Sequence, residues 1–112
     1  MKIEKIAQCD FLETVFIPEN FDSEILIGHT GDLLSEVMRN CQENSIWVTH
    51  QSHQNIIAVS EVTGAKAIVI AENLNFNADT VESAKDASIA LFKTKLSAFE
   101  CCGKLYNLLK ND

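Results

Sequence analysis

Short apolar segments recur along the chain at an even spacing. Runs rich in β-branched residues begin near Ile25, Ile46, Ala67 and Ile89, roughly every 21 residues. Each run is followed by a polar stretch and then by a segment of helical periodicity. The last three runs are apolar throughout rather than alternating, which is typical of strands that are covered on both faces. The pattern therefore predicts four successive β-α units.

The segments that follow these runs carry apolar residues at helical spacing. The predicted apolar stripes consist of Leu33, Leu34, Val37 and Met38; of Ile56, Ile57, Val59 and Val62; of Val81, Ala84 and Ala87; and of Ala98, Phe99, Cys102, Leu105, Tyr106 and Leu109. Ser97 with Glu100, and Asp79 with Glu82, match the capping pattern of a helix start. Gly64 is placed to end the second helix in the left-handed conformation.

The N-terminal third is less regular. We expect a short helix from Ile3 to Cys9, a strand from Thr14 to Ile17, and a surface loop from Pro18 to Ser23. A length of 112 residues suits one domain. Residues 1–112 are therefore predicted to form a single α/β domain, with a small, mostly parallel sheet and helices on both of its faces.

Right-handed crossovers would place all the strand-to-helix loops at one edge of such a sheet, where ligands bind in open α/β folds. All three histidines lie in the first two of these loops, beside two of the four glycines. The candidate ligand-binding residues are Gly28, His29, Thr30, Gly31 and Asp32 in the first loop, and Thr49, Gln51, His53 and Asn55 in the second.

The first loop admits two interpretations. Its glycines let the backbone approach a ligand closely, and Thr30 is placed to cap a helix that begins at Asp32. The free N–H groups of a helix start suit a phosphate or a carboxylate, although the Asp32 carboxylate opposes an anion there. The competing interpretation is a tight turn and a helix cap without any ligand.

Motifs for catalysis are absent from the sequence. It contains no G-x-x-x-x-G-K-[ST] phosphate loop, no G-x-G-x-x-G fingerprint and no G-x-S-x-G nucleophile elbow. His50 and His53 have a spacing that a metal can bridge, but they straddle a predicted strand end, so hydrogen-bonding loop histidines are the alternative. We predict a protein that is not an enzyme and holds neither metal nor cofactor.

Charge and composition narrow the partners further. The chain carries 16 acidic and 9 basic side chains, a net charge of −7, which argues against nucleic-acid and anionic-membrane surfaces. No apolar run approaches the ~20 residues of a spanning helix, and the N-terminus lacks a signal-peptide stretch, so a cytoplasmic location is expected. The four cysteines form no C-x-x-C pair; reduced, half-buried thiols are expected rather than a zinc or redox site.

These residues resemble a known family, the DRTGG domain, in particular its small stand-alone bacterial members. The resemblance lies in GHTGDLLSEVM (28–38), in IWVTHQSHQN (46–55) with its Gln-x-His-x-Asn stretch, in GAKAIVI (64–70) and in SAFECCGKLYNLL (97–109). It covers roughly residues 2 to 110. The signature after which the domain is named is reduced here to His29-Thr30-Gly31-Asp32, without its Arg and its second Gly.

The resemblance implies a fold similar to the N-terminal domain of HPr kinase/phosphorylase. It also implies a regulatory or ligand-sensing role, because such domains accompany enzymes and CBS modules rather than carry chemistry. Homodimerisation is common in that setting; Trp47 or the Phe-rich N-terminal third would supply an apolar patch, with core packing as the other use of Trp47.

Three hypotheses about function follow. The first is a non-catalytic regulatory domain for a nucleotide-like or other small anionic metabolite, acting through a partner protein or as a homodimer. The second is an interaction subunit without a ligand. The third, an enzyme that uses His29, His53 and Asp32 as acid/base groups, would be supported only by a cleft that gathers them.

Overall fold

The computed structural model describes residues 1–112. In chain order the elements are α1 (Ile3–Ala7), β1 (Glu13–Phe16), β2 (Ile27–Thr30), α2 (Leu34–Asn40), β3 (Ser45–Thr49), α3 (Asn55–Thr63), β4 (Ala67–Ile70), α4 (Ala78–Ala87), β5 (Ala90–Lys93) and α5 (Ala98–Lys110). None of the helices combines the length and the apolar character needed to cross a bilayer.

The strands form one five-stranded sheet in the order β1-β5-β4-β3-β2. Strands β2 to β5 are mutually parallel, and β1 joins β5 in the antiparallel direction. Each parallel strand pairs with the next one along the chain, so right-handed crossovers put the three connecting helices on the same face. The predicted α/β architecture, a mostly parallel sheet with helices on both faces, is confirmed.

Each face of the sheet has its own hydrophobic core. On one face, α1 and α5 pack on the sheet around Ile46, Val69 and Phe92. On the other face, α2, α3 and α4 pack around Trp47, Ile68 and further buried residues. Trp47 is fully buried, and its Nε1 donates a hydrogen bond to the carbonyl oxygen of Gly31 at 2.9 Å. Its use is therefore core packing, not an exposed patch.

The first strand and helix differ from their prediction. Gly28, His29 and Thr30 belong to β2 rather than to a loop, because they pair in register with Ile46, Trp47 and Val48 of β3. Thr30 does not cap a helix; its hydroxyl donates to the Val48 carbonyl at 3.1 Å. The helix begins at Leu34 instead of Asp32, since the Asp32 side chain is engaged by the neighbouring loop.

Two predicted helix ends are confirmed and one is wrong. The Ser97 hydroxyl accepts a hydrogen bond from the Glu100 amide at 3.2 Å at the start of α5. Gly64 ends α3 with φ 84°, in the left-handed region. Asp79 is not a cap: α4 begins at Ala78, and Asn77 occupies the capping position without a side-chain hydrogen bond.

Candidate functional site

Asp32 joins the segments that follow β2 and β3. Its Oδ1 accepts hydrogen bonds from the Thr49 hydroxyl at 2.8 Å and from the His50 backbone N–H at 2.7 Å. The Gln51 side-chain amide donates to the backbone carbonyl of Asp32 at 2.9 Å. The structure thus brings Asp32, Thr49 and Gln51 of the predicted site together at the carboxyl edge of the parallel strands.

His50 lies between two carboxylates. Its Nδ1 is 2.8 Å from Asp32 Oδ2, and its Nε2 is 2.6 Å from Glu72 Oε2. The second contact has the separation of an ion pair but lacks the alignment of a hydrogen bond. Because each ring nitrogen faces a carboxylate oxygen, the geometry fits the imidazolium form, in which both nitrogens carry a proton. We refer to Asp32, His50 and Glu72 as the loop-edge cluster.

The ionisation of the cluster follows from these contacts. The hydrogen bond to Asp32, opposed by partial burial, raises the pKa of His50, and Glu72 adds to the rise. Partial burial alone would raise the pKa of Asp32, but hydrogen bonds from His50 and Thr49 outweigh it and lower that pKa. Both shifts favour the charged form of the residue concerned.

Glu72 reaches His50 from an unusual backbone conformation. Glu72 and Asn73 follow β4 with φ of 57° and 58°, in the left-handed region that residues other than glycine rarely adopt. Their amides donate to the carbonyls of Leu96 and Thr94, both at 2.8 Å. These two hydrogen bonds fix a conformation that is unfavourable by itself.

His29 and Gly31 of the first predicted loop contact other parts of the molecule. His29 turns toward α2, where its Nε2 is 3.2 Å from Glu36 Oε1. Hydrogen bonds from Asn40 and His29 lower the pKa of Glu36. The Gly31 carbonyl accepts from the indole of Trp47.

The second half of the second loop packs against the start of α4. His53 is exposed, and its Nδ1 is 3.0 Å from the Asn77 side-chain amide. The Ser52 carbonyl accepts from the Thr80 hydroxyl at 2.7 Å. Asn55 is the exposed first residue of α3. His53 and Asn55 therefore stand beside the loop-edge cluster but share no hydrogen bond with it.

Two members of the cluster were not among the predicted site residues. His50 directly follows β3, and Glu72 stands two residues after the end of β4. Both are polar residues that follow a buried apolar strand. Because the carboxyl ends of parallel strands meet at one edge, this position in the sequence could have identified them as site residues. Gly28, by contrast, lies within β2 and lines a groove beneath α5, away from the strand ends.

The cluster is a surface feature and not the wall of a crevice. A mostly apolar groove of the molecule lies elsewhere, under α5. In doubly wound sheets a crevice opens where the strand order reverses and neighbouring loops diverge. Here the order from β2 to β5 runs in one direction, so successive loops bend the same way.

Comparisons with known proteins bear on the fold. A scan against protein families and a search of curated proteins both find no match. Among solved structures, the chain is similar to the CBS and DRTGG domains of the regulatory region of Clostridium perfringens pyrophosphatase, complexed with its activator, diadenosine tetraphosphate. The TM-score is 0.66 at 14% identity over 84% of this chain, which spans 40% of that one. The chain thus has an α/β fold like that of the CBS and DRTGG domains.

Proposed function

We propose that this chain is a regulatory domain of the DRTGG type that binds a small, nucleotide-like ligand at its loop edge and carries out no chemistry. The observation that carries the proposal is the fold shared with the pyrophosphatase regulatory region, whose activator is a dinucleotide. The resemblance of residues 28–38, 46–55, 64–70 and 97–109 to the DRTGG domain, although its naming signature is reduced here, supports the same assignment. The signal would pass to a partner protein or across a homodimer.

The charges of the edge define which part of a nucleotide would contact which residues. Asp32 and Glu72 present carboxylate oxygens, which repel phosphate and accept hydrogen bonds from ribose hydroxyls or base amino groups. Lys93 and Lys95 lie at the β5 end of the same edge and form no ion pair within the protein, although the Lys93 ammonium donates a hydrogen bond to Asn75 Oδ1. A nucleotide-like ligand would therefore direct its nucleoside toward the loop-edge cluster and its phosphates toward the two lysines.

An acid/base role for the cluster is disfavoured by the same geometry. A general base needs a free lone pair within reach of a substrate proton. Both nitrogens of His50 face carboxylates, and outside the cluster the Nε2 of His29 faces Glu36. The contacts hold the loops in place and leave no histidine of the cluster available for proton transfer.

Thermal unfolding in the presence of diadenosine tetraphosphate and of AMP tests the proposal. A ligand at about ten times its Kd stabilises the native state by ~1.4 kcal/mol, which is a rise in Tm of about 5 °C for a domain of this size. His53→Ala and Asn55→Ala should reduce this rise, because both side chains stand beside the loop-edge cluster, toward which the nucleoside would be directed. Neither variant should unfold the protein, because both side chains are exposed.

Asn107→Ala is the matched control. Asn107 is an exposed residue of α5 whose backbone carbonyl accepts from the Asn111 side chain, so the substitution leaves that hydrogen bond in place. It should respond to the nucleotides as the unmodified protein does. The proposal fails if neither nucleotide raises the Tm, or if the two loop variants respond fully.

Homodimerisation has a separate structural basis. Strand β2 is an edge strand with β3 as its one neighbour, so the outward backbone groups of Ile27–Thr30 are open to pairing with a second chain. Sedimentation at about 1 and 100 μM protein should show dimers that dissociate on dilution. A monomer at both concentrations would leave the partner protein as the route of the signal.

A further inference from the structure

A groove lies between α5 and the β2–β3 end of the sheet. Its volume is about 460 Å³, within the ~300–1,000 Å³ of small-molecule sites. Ile46 and Val48 form the floor, Leu105 and Tyr106 lie on the α5 side, and Leu26 and Ile27 border the open edge of the sheet. We call this cavity the α5 groove. It reaches the sheet itself and shares no residue with the loop-edge cluster.

Gly28 keeps the α5 groove open. A Cβ atom built on Gly28 would meet only the Ile46 carbonyl oxygen at 3.6 Å and Ile46 Cγ2 at 3.8 Å, which is ordinary van der Waals contact. Neither crowding nor backbone conformation therefore requires glycine here. A glycine within a strand is unfavourable and often marks the close approach of a ligand. The missing side chain leaves free the volume above Ile46 and Val48.

The groove carries a single positive charge. Ten residues line the groove; eight of them are hydrophobic, and Lys110 is the one that is charged. Its ammonium lies 5.9 Å from the centre of the Tyr106 ring and takes part in no ion pair of the protein. An unpaired cation at an apolar groove, in a chain with a net charge of −7, is complementary to an anion.

We propose that the α5 groove binds a small amphipathic anion, with a hydrocarbon or aromatic body over Ile46 and Val48 and a carboxylate or sulfonate at Lys110. Tyr106 adds an aromatic wall on which a planar body would stack. This is a second site on the opposite face of the sheet from α2, α3 and α4. It stands independently of the function proposed for the loop edge.

The probe is 8-anilinonaphthalene-1-sulfonate, which combines an aromatic body with a single anionic group. The native protein should bind it saturably at one site, with fluorescence enhancement. Gly28→Val fills the groove without a backbone clash and should weaken binding at least about tenfold, because the apolar contacts supply most of the affinity in such sites. Lys110→Gln should weaken it about threefold at low salt, the range of one exposed ion pair.

Two further variants keep the outcome decisive. Lys104→Gln removes an exposed lysine of the same helix that lies over Phe11 and not in the groove, so binding should be unchanged. Tyr106→Ala removes a side chain that is 66% exposed; it leaves the fold intact and should weaken binding even if Gly28→Val fails to fold.

The proposal is overturned if the native protein shows no saturable binding, or if Gly28→Val and Tyr106→Ala bind the probe as the native protein does. It is also overturned if probe binding increases on dilution in parallel with dissociation of a dimer. That result would show that a second copy of this chain occupies the groove.

Discussion

Replacing Asp32 by alanine tests how much the loop-edge cluster contributes to stability. The substitution removes an acceptor from the Thr49 hydroxyl, the His50 amide and the His50 ring. A hydrogen bond to a charged group contributes about 1.5–3 kcal/mol. Because the Asp32 side chain is 47% exposed, water replaces part of the loss. We therefore expect the free energy of unfolding to fall by about 2–3 kcal/mol, well below the full contribution of three such hydrogen bonds.

The effect of this substitution depends on pH in a defined direction. The pKa of Asp32 is lowered in the native state, so its contribution is present above the unfolded pKa of about 3.9 and is lost as the pH falls through the folded value. The pKa of His50 is raised, so its contribution is complete below about 6.5 and is lost as the pH rises through the folded value. The difference between the two proteins should therefore be greatest at about pH 5–6.

Urea unfolding followed by tryptophan fluorescence provides the assay. Trp47 is the only tryptophan; it is fully buried, and it donates to the carbonyl of Gly31, next to the substituted residue. With an m-value near 2 kcal/mol/M, the midpoint should fall by about 1–1.5 M. Asp86→Ala removes an exposed carboxylate without a hydrogen bond or ion pair and should change the midpoint little. If Asp32→Ala at pH 5.5 behaves like Asp86→Ala, the contacts of the cluster do not stabilise the fold.

The remaining predictions concern His50 and three positions of the helices. His50→Gln should lower the urea midpoint at pH 5.5 and flatten its decrease above about pH 6.5, because the group whose raised pKa causes that decrease is gone; an unchanged pH profile would contradict the imidazolium assignment. Gly64→Ala should lower the free energy of unfolding by at least about 1–2 kcal/mol, because φ at this position is 84° and the new Cβ would lie 3.2 Å from Glu43 Cα. Gly103 lies in α5 with nothing within 4 Å of its Cβ position, so Gly103→Ala should raise the free energy of unfolding by about 0.5–1 kcal/mol. Equal changes in Tm for the two glycine substitutions would contradict this reasoning. Ser97→Ala should lower the free energy of unfolding by about 1 kcal/mol, because it removes the side-chain cap of α5. An unchanged Tm in melting followed by circular dichroism would show that the cap is dispensable.

The buried strands could be predicted from the sequence, but the edge strand could not. The central run of β3, Ile46 to Val48, and the whole of β4, Ala67–Ile70, are apolar without alternation because both faces are covered, which is a local signal. Strand β2 is an edge strand and largely exposed, and its Gly-His-Thr sequence is also typical of a loop. Only its pairing with β3 makes it a strand, and that register depends on residues far along the chain.

The candidate site shows the same limit at the level of single side chains. The sequence predicted that polar residues after the parallel strands gather at one edge, and Asp32, Thr49 and Gln51 do so. It could not predict that His50 turns inward between two carboxylates, because that direction depends on the residue at which β3 ends. The left-handed conformation of Glu72 has no local signal, since it is held by backbone hydrogen bonds to the segment after β5.

The antiparallel pairing of β1 with β5 has a consequence for the order in which the chain folds. Strands β2 to β5 each find their partner in the next β-α unit, through short connections that close at modest entropic cost. Glu13, in contrast, pairs with Lys93, so β1 finds its partner in a strand about 80 residues further along the chain. Until β5 has been made, the edge that β1 occupies does not exist, and β1 cannot join the sheet before β5 is available.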